Sequence, residues 1–377
     1  MYTEAWPREF TPVLPPRWNP ATSPAAPVIY LDQWVFKHLV RDRAGSPVSP
    51  SDAGCYEYFR RLALAGQVVF VLSEAHYLET WRGKDPSTRW DMAVVMAELT
   101  GFNTISRAGL VRWDALAGVS AYLGLDTQLQ TPNPFGWGYS HCLTGLERHA
   151  VVIDTSTGRP VGKEGLPDSA WREIAKLKID ERVELATLAL RDPRLEPDVM
   201  TPLEPLPDDG AGSRLVREEA DIVTKIEKLG RNLTNIRMVV EGLCFADKMT
   251  MRSVLAAEEA LGLPPGTIVD QLSTASEASE NRKELSRFLR CMPIQGRFAE
   301  LRVHSHHQQK DRRRRPSDAG DYFVIASVSC LVDHMVIDRT MAHLAAAARI
   351  TTRSGQPLQH RLVDLRQHLQ DTLNLTA

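Results

Sequence analysis

The sequence predicts an α/β protein in which a parallel β-sheet is flanked by helices and interrupted by a large, mainly helical insertion. Apolar runs at 28–31 and 67–72 are each followed by a helical pattern, and the same order returns at 334–337. Alternation of buried strands with helices is typical of a parallel sheet. Residues 213–292 contain few β-branched runs and show helical periodicity, which predicts the insertion.

The first strand is predicted at 28–31, VIYL, because β-branched and aromatic side chains pack well on a pleated surface. Asp32 then leaves the strand at its carboxyl end, where ligands bind in open α/β sheets. The same aspartate is a good N-cap for a helix whose apolar stripe would contain Trp34, Val35 and Leu39. This stretch alone leaves both interpretations open.

The next elements continue the alternation. A helix is predicted over 51–65, ended by Gly66, and QVVFVL at 67–72 is predicted to be a second buried strand. Ser73 and the acid after it indicate that a helix begins at once, and 86–100 continues helically.

The last part of the chain repeats this order. SDAGDYFVIASVSCLVD, with Ser317 as its predicted cap, is a predicted helix with a long apolar face, and HMVI at 334–337 is a predicted strand. Asp338 follows that strand directly. Another helix comes next, and residues 358–373 are predicted to form a terminal helix.

Composition divides the chain into four segments. Residues 1–27 are predicted to be an extended, proline-rich tail, and 28–129 the first part of the α/β domain. Residues 130–292 are the mainly helical insertion, within which 192–212 is rich in proline, acid and glycine and is a predicted loop or linker. Residues 293–377 complete the α/β domain and end in the terminal helix.

Charge and cysteine content exclude several classes of protein. The formal net charge is −2, so no global basic field attracts nucleic acid, and any such contact needs a local patch. The 5 cysteines are scattered without a Cys-x-x-Cys pair, which argues against a disulfide framework or a cysteine zinc site. No apolar stretch approaches the roughly 18 residues that span a bilayer. The expected location is the cytoplasm, with no membrane partner.

Acidic side chains recur at the predicted strand ends and in the helices that follow them. They are Asp32, Glu74, Glu79, Asp318, Asp321 and Asp338. Because parallel strands end at one edge of a sheet, these acids are expected to converge there. Converging carboxylates raise one another's pKa unless a divalent cation compensates, and oxygen ligands suit Mg²⁺ or Mn²⁺. Such a site can activate water and stabilise an in-line displacement at phosphorus.

The same stretches carry a family resemblance. In chain order, YLDQWVF, VVFVLSEAHYLETW and RRRRPSDAGDYFVIASVSCLVDHMVIDRTMAHL resemble the motifs of PIN-like ribonuclease domains. The resemblance spans residues 28–110 and 310–352 and leaves the centre of the chain unassigned. It implies a PIN-like parallel sheet and a metal-dependent nuclease whose products carry a 5′ phosphate and a 3′ hydroxyl. The large insertion departs from the family pattern.

The resemblance also implies roles for particular acids. Asp32 matches the first acidic position of the family, and Asp338 matches the fourth. Glu79 is the preferred match to the second position, since in relatives the acid follows one to two helical turns after the residue that opens the turn. Glu74 is the alternative at that position.

Two aspartates, Asp318 and Asp321, both qualify for the third position, and they stand three residues apart near the start of a helix. The basic run KDRRRRP comes just before them. Its arginines are Arg312, Arg313, Arg314 and Arg315. Arginine forks match phosphate oxygens, so this run would position a nucleic-acid backbone beside the acids. The alternative is a solvated loop.

Two further groups have a structural and a functional interpretation. Phe135, Trp137 and Tyr139 are predicted to be core residues under a long loop rather than a stacking platform for bases. HSHH at 304–307 is predicted to lie in a surface loop rather than to bind zinc, because no second ligand cluster has the spacing of a known site.

The sequence therefore predicts a Mg²⁺- or Mn²⁺-dependent nuclease acting on RNA rather than DNA. Asp32, Glu79, Asp321 and Asp338 are predicted to hold the cation directly or through water, and Asp318 is a further candidate metal ligand. The resemblance alone suggests a toxin or defence role. Two alternatives stay open: a non-catalytic PIN-like scaffold that binds RNA or protein, and a phosphohydrolase acting on small phosphoesters. A homo-oligomer and an inhibitory protein partner also stay open.

Overall fold

The structure is a computed structural model with a mixed α/β fold, in which a small parallel sheet of three strands is flanked by helices. The residues that it describes are 13–17, 25–106, 110–126, 134–144, 167, 169, 181–189, 211–273, 279–308 and 316–373. The mixed α/β prediction is confirmed, as is the parallel sheet between helices.

The elements of the described ranges follow the predicted alternation at both ends of the chain. The strands are β1 (Val28–Leu31), β2 (Val69–Val71), β3 (Asn103–Ile105), β4 (Phe135–Trp137) and β5 (His334–Val336). The helices before β5 are α1 (Gln33–Arg43), α2 (Cys55–Leu64), α3 (Glu74–Arg82), α4 (Pro86–Thr100), α5 (Leu110–Leu123), α6 (Gly138–Thr144), α7 (Glu181–Ala189), α8 (Ala211–Leu229), α9 (Leu233–Ala246), α10 (Lys248–Ala260), α11 (Thr267–Ser273), α12 (Ser279–Cys291), α13 (Pro293–Gln308) and α14 (Pro316–Val328). The helices after β5 are α15 (Arg339–Ala347) and α16 (Leu362–Thr372).

Strand β1 is the centre of the parallel sheet, whose order is β2, β1, β5. Successive side chains of a strand point to opposite faces, and the two faces of β1 enter different cores. Ile29 and Leu31 pack in a core with residues of α1, α2, α4 and α16. Val28 and Tyr30 pack in a second core with residues of α14 and α15. Because both faces are covered by helices, the open edge at the strand ends is where a ligand can approach.

Strands β3 and β4 form an antiparallel pair beside β2. Leu72 and Thr104 make an isolated parallel bridge, which places this pair next to the end of β2. Phe135 and Trp137 are buried in β4, so their core interpretation agrees with the structure. They form a strand where a long loop was predicted, because pairing with β3 satisfies their backbone groups.

The helices of the predicted insertion pack against helices of the first part of the α/β domain. Helix α7 packs against α3 and α4 of the α/β core. Helix α5, which precedes residue 130, packs against α10 and α12 around Val119, Phe245 and Phe288. Residues from both sides of the predicted boundary at 130 therefore share the same cores.

Part of the proline-rich segment lies against this body. Pro15 is buried, and the side-chain Nδ2 of Asn103 donates to the carbonyl oxygen of Pro16 at 3.2 Å. The guanidinium of Arg17 lies 4.4 Å from the centre of the Trp137 ring. Gly101 has a φ of +57°, and a Cβ there would come within 2.7 Å of the Pro15 carbonyl oxygen. Only glycine accommodates both the left-handed backbone and this close approach.

Two local expectations are wrong. The HSHH stretch at 304–307 lies on α13 and not in a surface loop, and His306 is buried. Helix α14 begins at Pro316, so Ser317 lies in its first turn rather than capping it. Proline is favoured in the first turn because its missing N–H has no helical partner there.

All 5 cysteines are free thiols. In the part of the chain that the structure describes, no helix is long and apolar enough to cross a bilayer.

Candidate active site

A cavity of about 520 Å³ lies at the carboxyl edge of the parallel sheet. Its acidic lining residues are Asp32, Glu79, Asp321 and Asp338. These are the four acids that the sequence favours as metal ligands. They come from the ends of β1 and β5 and from α3 and α14. The fold therefore brings together acids from the first and the last part of the chain.

Asp32 caps α1 and also lines the cavity, so its two interpretations from the sequence are compatible. Its backbone N–H donates to the carbonyl oxygen of Val336 at 2.9 Å, which extends the pairing of β1 with β5 by one residue. Its Oδ1 accepts from the N–H of Gln33 at 2.7 Å and so caps α1. Burial raises the pKa of Asp32 to about 7, and repulsion from Glu79 and Asp338 adds to the shift.

Asp338 repeats this arrangement on the neighbouring strand. It follows β5 after one residue and caps α15, where its Oδ1 accepts from the N–H groups of Thr340 and Met341 at 2.8 and 3.1 Å. Each of the two strands therefore delivers a carboxylate to the same edge, held by the first turn of the helix that follows.

Glu79 rather than Glu74 lines the cavity. Both lie on α3, but five residues separate them, which turns them to different sides of the helix. Glu79 is exposed to solvent. Partial desolvation by the surrounding protein raises its pKa, while Lys37 and Arg82 oppose the shift.

Asp321 rather than Asp318 lines the cavity. Desolvation raises the pKa of Asp321 to about 7, and the nearby charges of Asp32 and Glu79 are the next causes. Asp318 is buried one turn earlier on α14 and adds a further repulsion. The structure thus separates two acids that the sequence motif left equivalent.

His76 connects the end of β1, which precedes Asp32, to α3, which carries Glu79. Its Nδ1 accepts from the N–H of Ser73 at 2.9 Å. Its Nε2 therefore carries the proton and donates to the carbonyl oxygen of Leu31 at 2.7 Å. This bridge ties the end of β1, next to Asp32, to the first turn of α3, and burial lowers the pKa of His76 to about 4.

The pH dependence of stability should report on this bridge. The folded pKa of His76 lies below its ordinary value of 6.5, so the neutral ring contributes stability above that value and loses it as the pH falls towards 4. Relative to His76→Gln, which cannot titrate there, the wild type should lose about 3 kcal/mol of unfolding free energy across this window. Urea unfolding of both proteins at a series of pH values measures the difference, and parallel pH profiles would contradict it.

Two cationic side chains, Lys37 and Arg82, also line the cavity and were missed at the sequence level. Both are exposed to solvent, Lys37 on α1 and Arg82 on α3. A signal was available for Arg82, because it stands three residues after Glu79 on a predicted helix and so shares its face. Lys37 had no comparable signal, since its position depends on how α1 crosses the sheet edge.

The arginines predicted to contact phosphate lie outside the described residues. They are Arg312, Arg313, Arg314 and Arg315. Helix α14, which carries Asp321, begins immediately after them at Pro316.

The donor set has the chemistry of a site for a hard divalent cation. Four carboxylates line the cavity, and burial together with mutual repulsion raises the pKa values of Asp32 and Asp321. A cation would relieve that repulsion. Within the described ranges, no group of three or more His, Cys, Asp or Glu side chains is arranged to hold a metal ion as it stands. These side chains would have to rearrange if they were to coordinate Mg²⁺ or Mn²⁺.

No protein-family model matches this chain, and no curated protein or solved structure matches it either. The resemblance to PIN-like domains therefore rests on the motifs in the chain itself. The function of the cavity has to be inferred from the chemistry of its own side chains.

Proposed function

We propose that this protein is a divalent-metal-dependent nuclease of the PIN-like type that hydrolyses phosphodiester bonds in RNA. The observation that carries this proposal is a cavity at the carboxyl edge of the parallel sheet, lined by four carboxylates from four different parts of the chain. That edge is the usual ligand-binding position in open α/β sheets.

The charge of the cavity supports a cation as part of the working site. Its four carboxylates outnumber its two cationic side chains, so the fully ionised cavity is negative and repels an anionic phosphodiester. A bound divalent cation would offset this negative charge and so remove the net repulsion. When bound, Mg²⁺ or Mn²⁺ would polarise the phosphoryl group and make water a better nucleophile at neutral pH.

The residues at and beside the cavity have three proposed roles: cation ligands, phosphate contacts and positioning. Asp32, Glu79, Asp321 and Asp338 would hold the cation directly or through water. Lys37 and Arg82, which reach solvent at the cavity lining, would contact phosphate oxygens of the bound strand. His76 is a positioning residue, because it fixes the strand end beside Asp32 against the helix that carries Glu79.

The direct test is cleavage of end-labelled single-stranded RNA by the full chain with Mn²⁺, Mg²⁺ or EDTA, beside single-stranded DNA of the same sequence. We expect metal-dependent cutting of RNA, none in EDTA, and products with a 5′ phosphate and a 3′ hydroxyl. RNA that is bound but left intact under every condition would favour the scaffold alternative. Hydrolysis of p-nitrophenyl phosphate without any cutting of RNA would favour a small-molecule phosphohydrolase.

The two cationic residues give a separate prediction about substrate binding. Lys37→Gln and Arg82→Gln should each weaken RNA binding by about 3- to 10-fold and reduce the slope of log K against log salt by about 0.7, because one phosphate contact is lost. Fluorescence anisotropy of labelled RNA on the Asp32→Asn protein measures this without cleavage. Arg41→Gln is the matched control, since Arg41 is exposed on the same helix as Lys37 but does not line the cavity. Equal effects of all three variants would show a diffuse charge effect instead.

A further inference from the structure

Gln33 is a buried side chain of the cavity lining with an unused hydrogen-bond acceptor. It is the first residue of α1 and only 5% exposed. Its Nε2 donates to Thr80 Oγ1 at 3.0 Å. Its Oε1 is buried and has no hydrogen-bond partner among the described residues. Buried polar atoms are normally paired, so Gln33 has an acceptor, next to the cavity, that a bound group could use.

The orientation of this amide is held by residues behind it. Thr80 is itself buried, and its hydroxyl is directed at Met96 Sδ at 3.9 Å. The hydroxyl oxygen is therefore free to accept from Gln33 Nε2, which leaves Oε1 as the end of the amide without a partner. Gln33 follows Asp32 in the chain, and Thr80 follows Glu79, so the amide connects the helices that carry two of the cavity acids.

The four acids of the lining cannot donate to this oxygen while they are ionised, because ionised carboxylates only accept hydrogen bonds. Lys37 and Arg82 are donors in the same lining, but the oxygen has no partner among the described residues. A divalent cation, or a water molecule held by it, satisfies such an oxygen, and side-chain amide oxygens are ordinary ligands of hard cations. Trp34 Nε1, in the same lining, is a buried donor that also has no partner among the described residues. Donor and acceptor together indicate that this wall of the cavity is built to contact a bound group.

We propose that the amide oxygen of Gln33, held in place by Thr80, is a further oxygen donor to the divalent cation, directly or through a cation-bound water. This inference rests on the proposed function, because it adds a neutral donor to the same carboxylate site. The competing role is purely structural, in which the amide only ties α1 to α3 through Thr80. The two roles differ in cation affinity, which the structural role leaves unchanged.

The test is titration of the full-length protein with Mn²⁺, with free Mn²⁺ measured by electron paramagnetic resonance. Gln33→Met keeps the length of the side chain and removes the oxygen, and we expect it to weaken Mn²⁺ binding by about 10-fold. Gln359→Met is the matched control. Gln359 Oε1 is also buried without a partner among the described residues, but Gln359 does not line the cavity. Its variant should bind Mn²⁺ as the wild type does.

A second variant keeps the test decisive if Gln33→Met folds poorly. Thr80→Val preserves the shape of the side chain and removes the oxygen that orients the amide, so Mn²⁺ binding should again weaken. The double variant should bind no more weakly than Gln33→Met alone, since the two residues act as one unit. Thermal unfolding of the metal-free variants separates a loss of affinity from a loss of structure.

The possible failures are distinguishable. If the wild type binds Mn²⁺ and both variants match it, the amide is structural and the inference is overturned, while the carboxylate site stands. If the wild type binds no Mn²⁺, the inference fails together with the cation of the proposed function.

Discussion

Asp32→Asn should lower RNA hydrolysis by about 10³-fold or more, because several kcal/mol of cation-dependent stabilisation of the transition state is lost. The substitution should at the same time stabilise the cation-free protein. Asparagine is as good a helix N-cap as aspartate, so the bond from the Gln33 N–H that caps α1 is retained. Activity and stability are therefore expected to move in opposite directions.

The sign of the stability effect follows from the pKa of Asp32. The carboxyl has a folded-state pKa of about 7, against an ordinary value of 3.8. Its contribution to stability is fully present below the lower value and is lost as the pH rises through the higher one. Above about pH 7 the wild type should thus be less stable than Asp32→Asn by about 2 to 4 kcal/mol, and the gap should close in acid.

Urea unfolding across this pH range, with and without Mn²⁺, measures the effect alongside the cleavage rate. Mn²⁺ should stabilise the wild type and have little effect on the variant. Asp91→Asn is the control, because Asp91 is exposed on α4 and does not line the cavity. A variant that cuts RNA at the wild-type rate would remove Asp32 from the site.

Asp114→Ala should destabilise the protein by about 3 kcal/mol while leaving hydrolysis by the folded molecules unchanged. Asp114 lies on α5 and is buried. Its Oδ1 and Oδ2 accept from the N–H groups of Ile294 and Gln295 at 2.6 and 3.0 Å, at the start of α13. Without the carboxylate, two buried N–H groups have no acceptor.

Asp114→Asn distinguishes loss of hydrogen bonds from loss of the side chain as a whole. Asparagine keeps one acceptor oxygen, so a smaller loss of about 1 kcal/mol is expected at acidic pH. Burial raises the pKa of Asp114 to about 7, so its contribution to stability decreases as the pH rises through that value. The deficit of the Asn variant should therefore shrink above it. Thermal and urea unfolding of the three proteins measure this order, and a loss of activity per folded molecule in Asp114→Ala would contradict it.

Asp32 and Asp114 have similarly raised pKa values but different surroundings. Both bind backbone N–H groups at a helix start. Only Asp32 lines the cavity, beside other acids. A raised pKa thus indicates a functional site only where the geometry adds a cavity and further charged groups.

Local patterns in the sequence predicted much of the fold near the sheet. Strands β1, β2 and β5 and the helices after them lie where apolar runs and capping residues indicated. These signals are local, because strand and helix periods and caps depend on neighbours within a few residues. Asp32 directly follows β1, and Asp338 follows β5 after one residue. The sequence could therefore place both acids at the sheet edge.

Residues whose roles depend on distant partners could not be placed in this way. The sequence preferred Glu79 to Glu74 only through the family resemblance. Of the two, the structure places Glu79 at the cavity, because of how α3 is rotated against the sheet. The buried, unpaired oxygen of Gln33 depends on Thr80, 47 residues away. Strand β4 depends on its pairing with β3.

The sequence by itself determined the α/β class, the alternation of strands and helices at the two ends of the chain, and the carboxylates at the ends of two strands. Only the tertiary structure decided which acids share one cavity, that Lys37 and Arg82 accompany them, and that the lining residue Gln33 has a buried oxygen without a partner among the described residues. The physical reason is that element type follows from local periodicity and capping. Which residues share a site depends instead on how the helices pack and rotate against the sheet. Contacts between residues far apart in the chain determine that packing.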